Sequence, residues 1–281
     1  MASESDRAPA AAAGRWTDMS ASTREKSGPD AGQQTGVYVY GIVPGDVQLH
    51  SGVRGVGDPP GEVRLMHSGN LAALVSEVDI TNPLGTPEDL QAHQEILDAV
   101  VSEAPVLPFR FGGALATEEA VVEDLLEPNH DEFAAALRQL EGCAEYIVRG
   151  RYVEEAILDE ILSGNSRAAR LRDRIRGADP DATRELRIQL GEIVNNAVVD
   201  KREKDTRSLL AEMKDHCAAS VPRTATNEMD AAYVAFLIED DKAGEFERVI
   251  QDLSDRWQGR VELTARGPMA PYDFVGTMQD A

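Results

Sequence analysis

EYIVRGRYV (145–153) is the stretch on which the reading of the chain turns. It reads as a strand, and from about residue 141 the pattern differs from everything before it. A long helical region follows over 154–217, interrupted around Gly164 and around Gly177 to Pro180. RTATN (223–227) and DAAYVAFLIED (230–240) are the next two strands, DKAGEFERVIQDLSDRW (241–257) is a helix, and RVELTAR (260–266) closes the series. Strand, helix, strand, strand, helix, strand is the ferredoxin-like order. Residues 141–266 are therefore expected to form a modified ferredoxin-like βαββαβ domain with a long helical insertion in its first crossover.

Working outward, the upstream half reads as a second α+β unit over 36–140. GVYVYGIV (36–43) suits a strand with both faces covered, Val37, Val39 and Gly41 alternating with Tyr38, Tyr40 and Ile42. EVRLMHS (62–68) and NLAALVSEVD (70–79) are two strands joined at Ser68-Gly69-Asn70. TPEDLQAHQEILDAVVSEA (86–104) is a helix: Thr86 caps it, Pro87 takes the first position, and Glu88 and Asp89 lie in the positive first turn. Leu90, His93, Leu97 and Val100–Val101 trace its apolar stripe. PVLPFRFGG (105–113) is the strand after it, and 117–140 is an acid-rich helical region broken at Pro128. Residues 1–35 are Ala, Ser, Gly, Asp and Gln with little to bury, and are expected to be a disordered arm. The fold class expected is α+β in two domains, with residues 267–281 as a tail packing on the body.

The net charge of −22 argues against nucleic acid and against anionic membrane surfaces, because phosphate binding needs clustered Lys and Arg. Charge is uneven along the chain. Residues 77–160 hold 20 acids and 4 bases, whereas 167–214 hold 12 bases and 9 acids. Two solvated helical faces explain this, and so does a complement between the basic helical arm and an acidic surface. The two cysteines, Cys143 and Cys217, suggest neither a disulfide framework nor a zinc site, and a reduced, cytoplasmic setting fits. No apolar run approaches the ~18 residues of a membrane helix, and the first residues do not read as a signal peptide.

Catalytic signatures are missing from the sequence. The five histidines (His50, His67, His93, His130 and His216) show no i, i+4 pair, and the adjacent His216 and Cys217 point away from each other on a helix. NHDE (129–132) reads as helix capping rather than a metal cluster. GVRGVG (52–57) runs into two prolines instead of a helix, so it is a loop and not a phosphate cradle. No catalytic residue, metal or cofactor is expected.

HQEILDAVVSEAPVLPFRFGG (93–113) resembles the central signature of the gas vesicle protein F/L family, in which an acidic helix leads into Pro-Val-Leu-Pro-x-Arg-Phe-Gly. Pro105, Val106, Leu107, Pro108, Arg110, Phe111 and Gly112 fit it position by position. VYVYGIV (37–43), Leu140-Glu141-Gly142 through Arg149, and GPMAPYDFV (267–275) resemble further stretches of the family in the same order. Two tail positions commonly filled by Trp and Pro hold Met269 and Ala270 here.

The resemblance implies an assembly protein of gas vesicles that contacts the hydrophobic shell protein and other accessory proteins. It also implies two α+β domains, the second a modified ferredoxin-like fold. A soluble acidic partner could mask the aggregation-prone apolar surface of a shell subunit before assembly. A ligand-responsive regulator with a ferredoxin-like sensor domain is the alternative, since fold alone does not fix function. The candidate partner-binding residues are Pro108, Phe109, Arg110, Phe111, Tyr272 and Phe274. Each also has a structural reading: Arg110 pairs with a nearby acid, Phe109 and Phe111 fill one sheet face, Pro108 marks an edge strand or bulge, and Tyr272 and Phe274 pack the tail onto the body.

Overall fold

The computed structural model describes residues 35–49 and 52–275. Apart from Thr35, the expected disordered arm lies outside the described residues. The described residues form two compact units, one within 35–145 and 268–275 and the other 146–267.

In the first unit, β1 (Thr35–Pro44) is the central strand of a sheet ordered β2-β3-β1-β4, with β5 also on β1. Here β2 is Arg64–Ser68, β3 is Leu71–Asp79, β4 is Leu107–Pro108 and β5 is Ala114–Leu115. β2 and β3 form a hairpin whose turn uses Gly69 at φ 61°, a left-handed conformation that glycine adopts without a Cβ penalty. β1 runs antiparallel to β3 from Thr35 opposite Asp79 to Pro44 opposite Leu71. Between Val39 and Gly41 the register slips, because Tyr40 is an extra, bulged residue. The bulge corrects the simple alternation expected from the sequence. Gly41 faces the same side as Tyr38 and Tyr40, where a methyl on it would come within 3.2 Å of Leu97 and of Val106.

That side is covered by α1 (Pro87–Val101) through Ile96, Leu97 and Val100. Its first turn carries the expected Thr86–Asp89 capping box, and the Asp89 carboxylate also accepts the Gly57 amide at 2.8 Å, tying the helix start to the loop beyond β1. Burial alone would raise the Asp89 pKa, but the Gly57, Gly85 and Thr86 amides outweigh it and hold the carboxylate below its usual range. Leu90 does not join the expected stripe; it is 48% exposed and Asp89 is buried instead, while His93, Leu97 and Val100 are buried as expected. α2 (Glu118–Ala120), the π-helical turns Val121–Leu126 and α3 (His130–Leu140) complete the first unit.

The second sheet is ordered β7-β8-β6-β9. β6 is Cys143–Tyr152, β8 is Asp230–Glu239 and β9 is Val261–Met269. β7 spans Ala219–Pro222, so RTATN (223–227) is not a strand, contrary to the sequence reading. There the Thr226 and Asn227 amides turn inward to the buried Asp230 carboxylate, each at 2.9 Å, so after one last bond from the Arg223 amide to the Tyr233 carbonyl the ladder ends. Between β6 and β7 the chain makes α4 (Glu154–Gly164), α5 (Ser166–Ile175) and the 30-residue α6 (Arg184–Met213), which is about 45 Å long. α7 (Ala243–Trp257) joins β8 to β9 and buries Phe246, Ile250 and Leu253 at helical spacing.

A polar network ties the helical insertion to its sheet. Arg260 grips Asp205 of α6 with two bonds of 3.1 and 2.9 Å and Glu160 of α4 with a third of 2.8 Å. Tyr152 of β6 donates its hydroxyl to the same Asp205 at 2.6 Å, beneath the Arg260 guanidinium. Bidentate charge-assisted bonds of this kind are about twice as strong as neutral ones.

Candidate partner-binding site

PVLPFRFGG is less regular than the strand expected of it. Only Leu107 and Pro108 pair with β1, opposite Ile42 and Gly41, and Ala114–Leu115 then rejoins the same edge opposite Tyr38 and Val37. The missing N–H of Pro108 is tolerated because β4 is the outermost strand. Between the two pairings the chain turns away over residues 110–112, with Gly112 at φ 101°, while the Phe109 amide still donates to the Tyr40 carbonyl at 2.8 Å and the Gly113 carbonyl accepts the Val39 amide at 3.0 Å.

A chain of hydrogen bonds clasps this turn at both ends. The carbonyl of Phe109 can only accept, so the His93 nitrogen 3.1 Å away, Nε2, carries the proton. Nδ1 is then left to accept the Tyr38 hydroxyl proton at 2.9 Å, and the Tyr38 oxygen in turn accepts the Gly112 amide at 3.1 Å. Tyr40 runs a parallel link: it receives the Val56 amide at 2.9 Å and shares a 2.8 Å bond with Ser76 Oγ. The His93 ring stacks on Tyr40 at 5.6 Å and meets Phe111 edge-on at the same distance. Burial lowers the His93 pKa to about 4 against the opposing pull of the Phe109 carbonyl, and burial pushes the Tyr38 hydroxyl up. His93 is neutral at physiological pH. It fastens the 109–113 turn to β1 through Phe109 and Tyr38.

The six candidate residues separate into different environments. Phe109 and Phe111 do not share a face, because the chain leaves the strand between them. Phe109 is buried against Phe133 of α3, while Phe111 is half-buried against Tyr38 and His93 on the α1 side. Pro108 is buried. Arg110 is exposed, and among the described residues it makes no ion pair, so the expected partnership with a nearby acid is absent.

The tail residues lie in the first unit. Phe274 and Ala270 are fully buried, and Tyr272 is half-buried with its ring 6.4 Å from His93. Two amides tie the tail: Ala270 N–H donates to Asp98 at 3.1 Å and Asp273 N–H to Glu145 at 2.9 Å. A proline at position 270 could not make the first bond. Phe111 and Tyr272 therefore meet around one ring, His93, which the sequence reading had placed only on a helix stripe. Its hydroxyl partner lies 55 residues away and its carbonyl partner 16, beyond any local pattern.

Among the described residues no group of His, Cys, Asp and Glu could hold a metal ion, and no helix is long and apolar enough to cross a membrane. A cavity of about 300 Å³ lies in the first unit against α1, lined by Val53, Val63, Ala92, Ile96 and Val100. The alternative regulatory reading had placed its sensor in the second.

Residues 36–276 match the family model described as gas vesicle synthesis protein GvpL/GvpF. The chain is 34% identical over 240 residues to gas vesicle protein F of Streptomyces sp. (strain CB03234), covering 85% of this chain and 98% of that one. It is 29% identical to gas vesicle protein L of the same strain, over 86% of this chain and 94% of the relative. The crystal structure of the gas vesicle protein GvpF from Anabaena sp. PCC7120 superposes with a TM-score of 0.70 at 22% identity, over 86% of this chain and 98% of that one. The GvpF structure from Microcystis aeruginosa gives 0.68 at 20% identity, over 85% and 98%.

Proposed function

The chain belongs to the gas vesicle synthesis protein GvpL/GvpF family, and we propose that it is a non-enzymatic accessory or minor structural protein that binds the hydrophobic shell protein and aids nucleation by limiting its aggregation. The observation that carries this reading is the clasped turn at 109–113. It holds an exposed Arg110 beside a half-buried Phe111 at the outer edge of a sheet. An exposed cation next to partly accessible aromatic surface is a composition enriched at protein interfaces. Of the candidate residues, Arg110, Phe111 and Tyr272 keep surface available to a partner, while Pro108, Phe109 and Phe274 support them from inside. The net charge of −22 would keep a complex with an aggregation-prone subunit in solution.

We read the second unit as a modified ferredoxin-like domain whose first crossover carries α4 to α6. The strand order β7-β8-β6-β9 supports this, since it runs second, third, first, fourth along that part of the chain. Other gas vesicle accessory proteins are further partners in this reading, and the setting is the cytoplasm and the gas vesicle.

Capture of purified shell protein by the immobilised full chain tests the proposal. Arg110→Glu is expected to reduce capture at least several-fold while the tyrosine near-UV signal of the first unit is unchanged. No capture by the wild-type chain, together with normal vesicles in a deletion strain, would overturn it.

A further inference from the structure

α5 is short, basic and only partly covered. Ala168 and Leu171 are buried, α4 and α6 pack against the helix, and Arg167, Arg170 and Arg174 follow one another at i, i+3 and i+7 on a single exposed stripe. Among the described residues none of these three arginines makes an ion pair. A row of unpaired guanidinium groups is notable on a chain of net charge −22.

The strongest complement to that row is on the same protein. Residues 117–127 contain five acids and no base. Glu119, Glu123 and Glu127 line a shallow groove with Met66 and Val122 as its apolar floor. Of the neighbouring acids, Glu118 is already engaged by Arg64. The two rows are similar in length: at about 1.5 Å per helical residue Arg167 to Arg174 spans about 10 Å, and Glu119 to Glu127, which includes the wider π-helical turns, at most about 12 Å.

We propose that the chain associates head-to-tail with a second copy of itself, the arginine stripe of α5 on one copy seating on the Glu119–Glu123–Glu127 groove of the next. Arginine suits this role because its fork meets carboxylates bidentately and its stem covers apolar surface such as Met66. The contact joins two different patches, so it is heterologous and can continue from copy to copy, into a ring or an open chain. Two bodies of charge −22 repel at long range. At about 0.15 M salt, however, that repulsion is screened beyond about 8 Å while contact-range pairs survive. Association is therefore expected at moderate ionic strength and lost at high salt.

Sedimentation velocity of the full chain provides the test. In about 150 mM NaCl the mass should rise with concentration past that of a dimer, and in about 1 M NaCl it should fall to the monomer. The triple variants R167E/R170E/R174E and E119K/E123K/E127K should each be monomeric in the lower salt. An equimolar mixture of the two should recover association, because each reversed patch then meets its complement. That recovery also shows both variants to be folded. A wild-type mass that stays at the monomer overturns the proposal. So does association that survives either triple reversal, and so does a mixture of the two variants that remains monomeric.

Discussion

Replacing His93 by Gln should change the pH dependence of stability more than stability itself. The glutamine amide can donate to the Phe109 carbonyl and accept from the Tyr38 hydroxyl, so at about pH 7.5 the cost is expected to be about 1–2 kcal/mol, from lost ring packing and poorer geometry. The wild-type chain carries a penalty that the variant lacks. Burial holds the His93 pKa at about 4 in the folded state, against 6.5 for a free imidazole. The unfolded chain therefore binds the extra proton throughout the window from 6.5 down to 4, and folded stability falls as pH drops through it. Across the whole window the difference amounts to about 3 kcal/mol, and at pH 5 about 2 kcal/mol of it is already lost, compared with almost none at pH 7.5. Carboxylates also titrate in this range, and loss of net negative charge acts the other way, but both are shared by the two chains and cancel in their difference. Urea unfolding read by pulsed hydrogen exchange of peptides from β1 and α1 reports on the unit concerned. The stability gap between wild type and H93Q should close or reverse between pH 7.5 and pH 5. An unchanged gap would show that His93 is not held neutral and that the clasp is wrongly drawn.

Three further outcomes follow from the packing. Arg260→Ala removes the group that grips both Asp205 and Glu160 and leaves a half-enclosed acid pair, so the second unit should lose about 3 kcal/mol, read from the urea midpoint of Trp257 fluorescence, with Arg260→Lys recovering only part. Gly55→Ala would put a methyl 2.3 Å from the Tyr40 hydroxyl and 2.6 Å from Ser76 Oγ, breaking that buried bond; a loss of at least about 2 kcal/mol is expected, and a neutral effect would contradict the packing. Ala270→Pro deletes the amide held by Asp98, whose pKa burial already raises, and should cost about 1–2 kcal/mol with faster exchange of the tail amides; unaltered exchange would mean the bond does not anchor the tail.

Local chemistry made much of the molecule readable from its sequence. The Thr86 cap, Pro87 and the acidic first turn announce α1; the Ser68-Gly69-Asn70 turn between two β-rich runs announces the β2–β3 hairpin; Pro128 marks the break before α3. Each of these signals acts over a few residues, through backbone dihedrals or first-turn amides, and so survives without knowledge of the fold. The ordered stretches shared with the family were legible for the same reason, as runs of residues in place.

Decisions that depend on partners far along the chain were made by the tertiary structure alone. Whether β1 alternates regularly depends on how it registers with β3, and the Tyr40 bulge appears only once the two strands are side by side. Phe109 and Phe111 lie on different sides because the chain leaves the sheet between them, a departure held by His93 and Tyr38 from two other elements. RTATN looked like a strand by composition, but a buried carboxylate at Asp230 claimed its amides, and the strand formed earlier at Ala219–Pro222. The 100-residue reach from Glu160 to Arg260 has no local signature at all. By itself the sequence determined most of the helices and strands and the order in which they run, β4 and β7 being the exceptions, because those preferences are set largely by neighbours. Only the tertiary structure decided which of their side chains are clasped inside and which, like Arg110, stay exposed, because burial and hydrogen-bond satisfaction are properties of the whole packed unit.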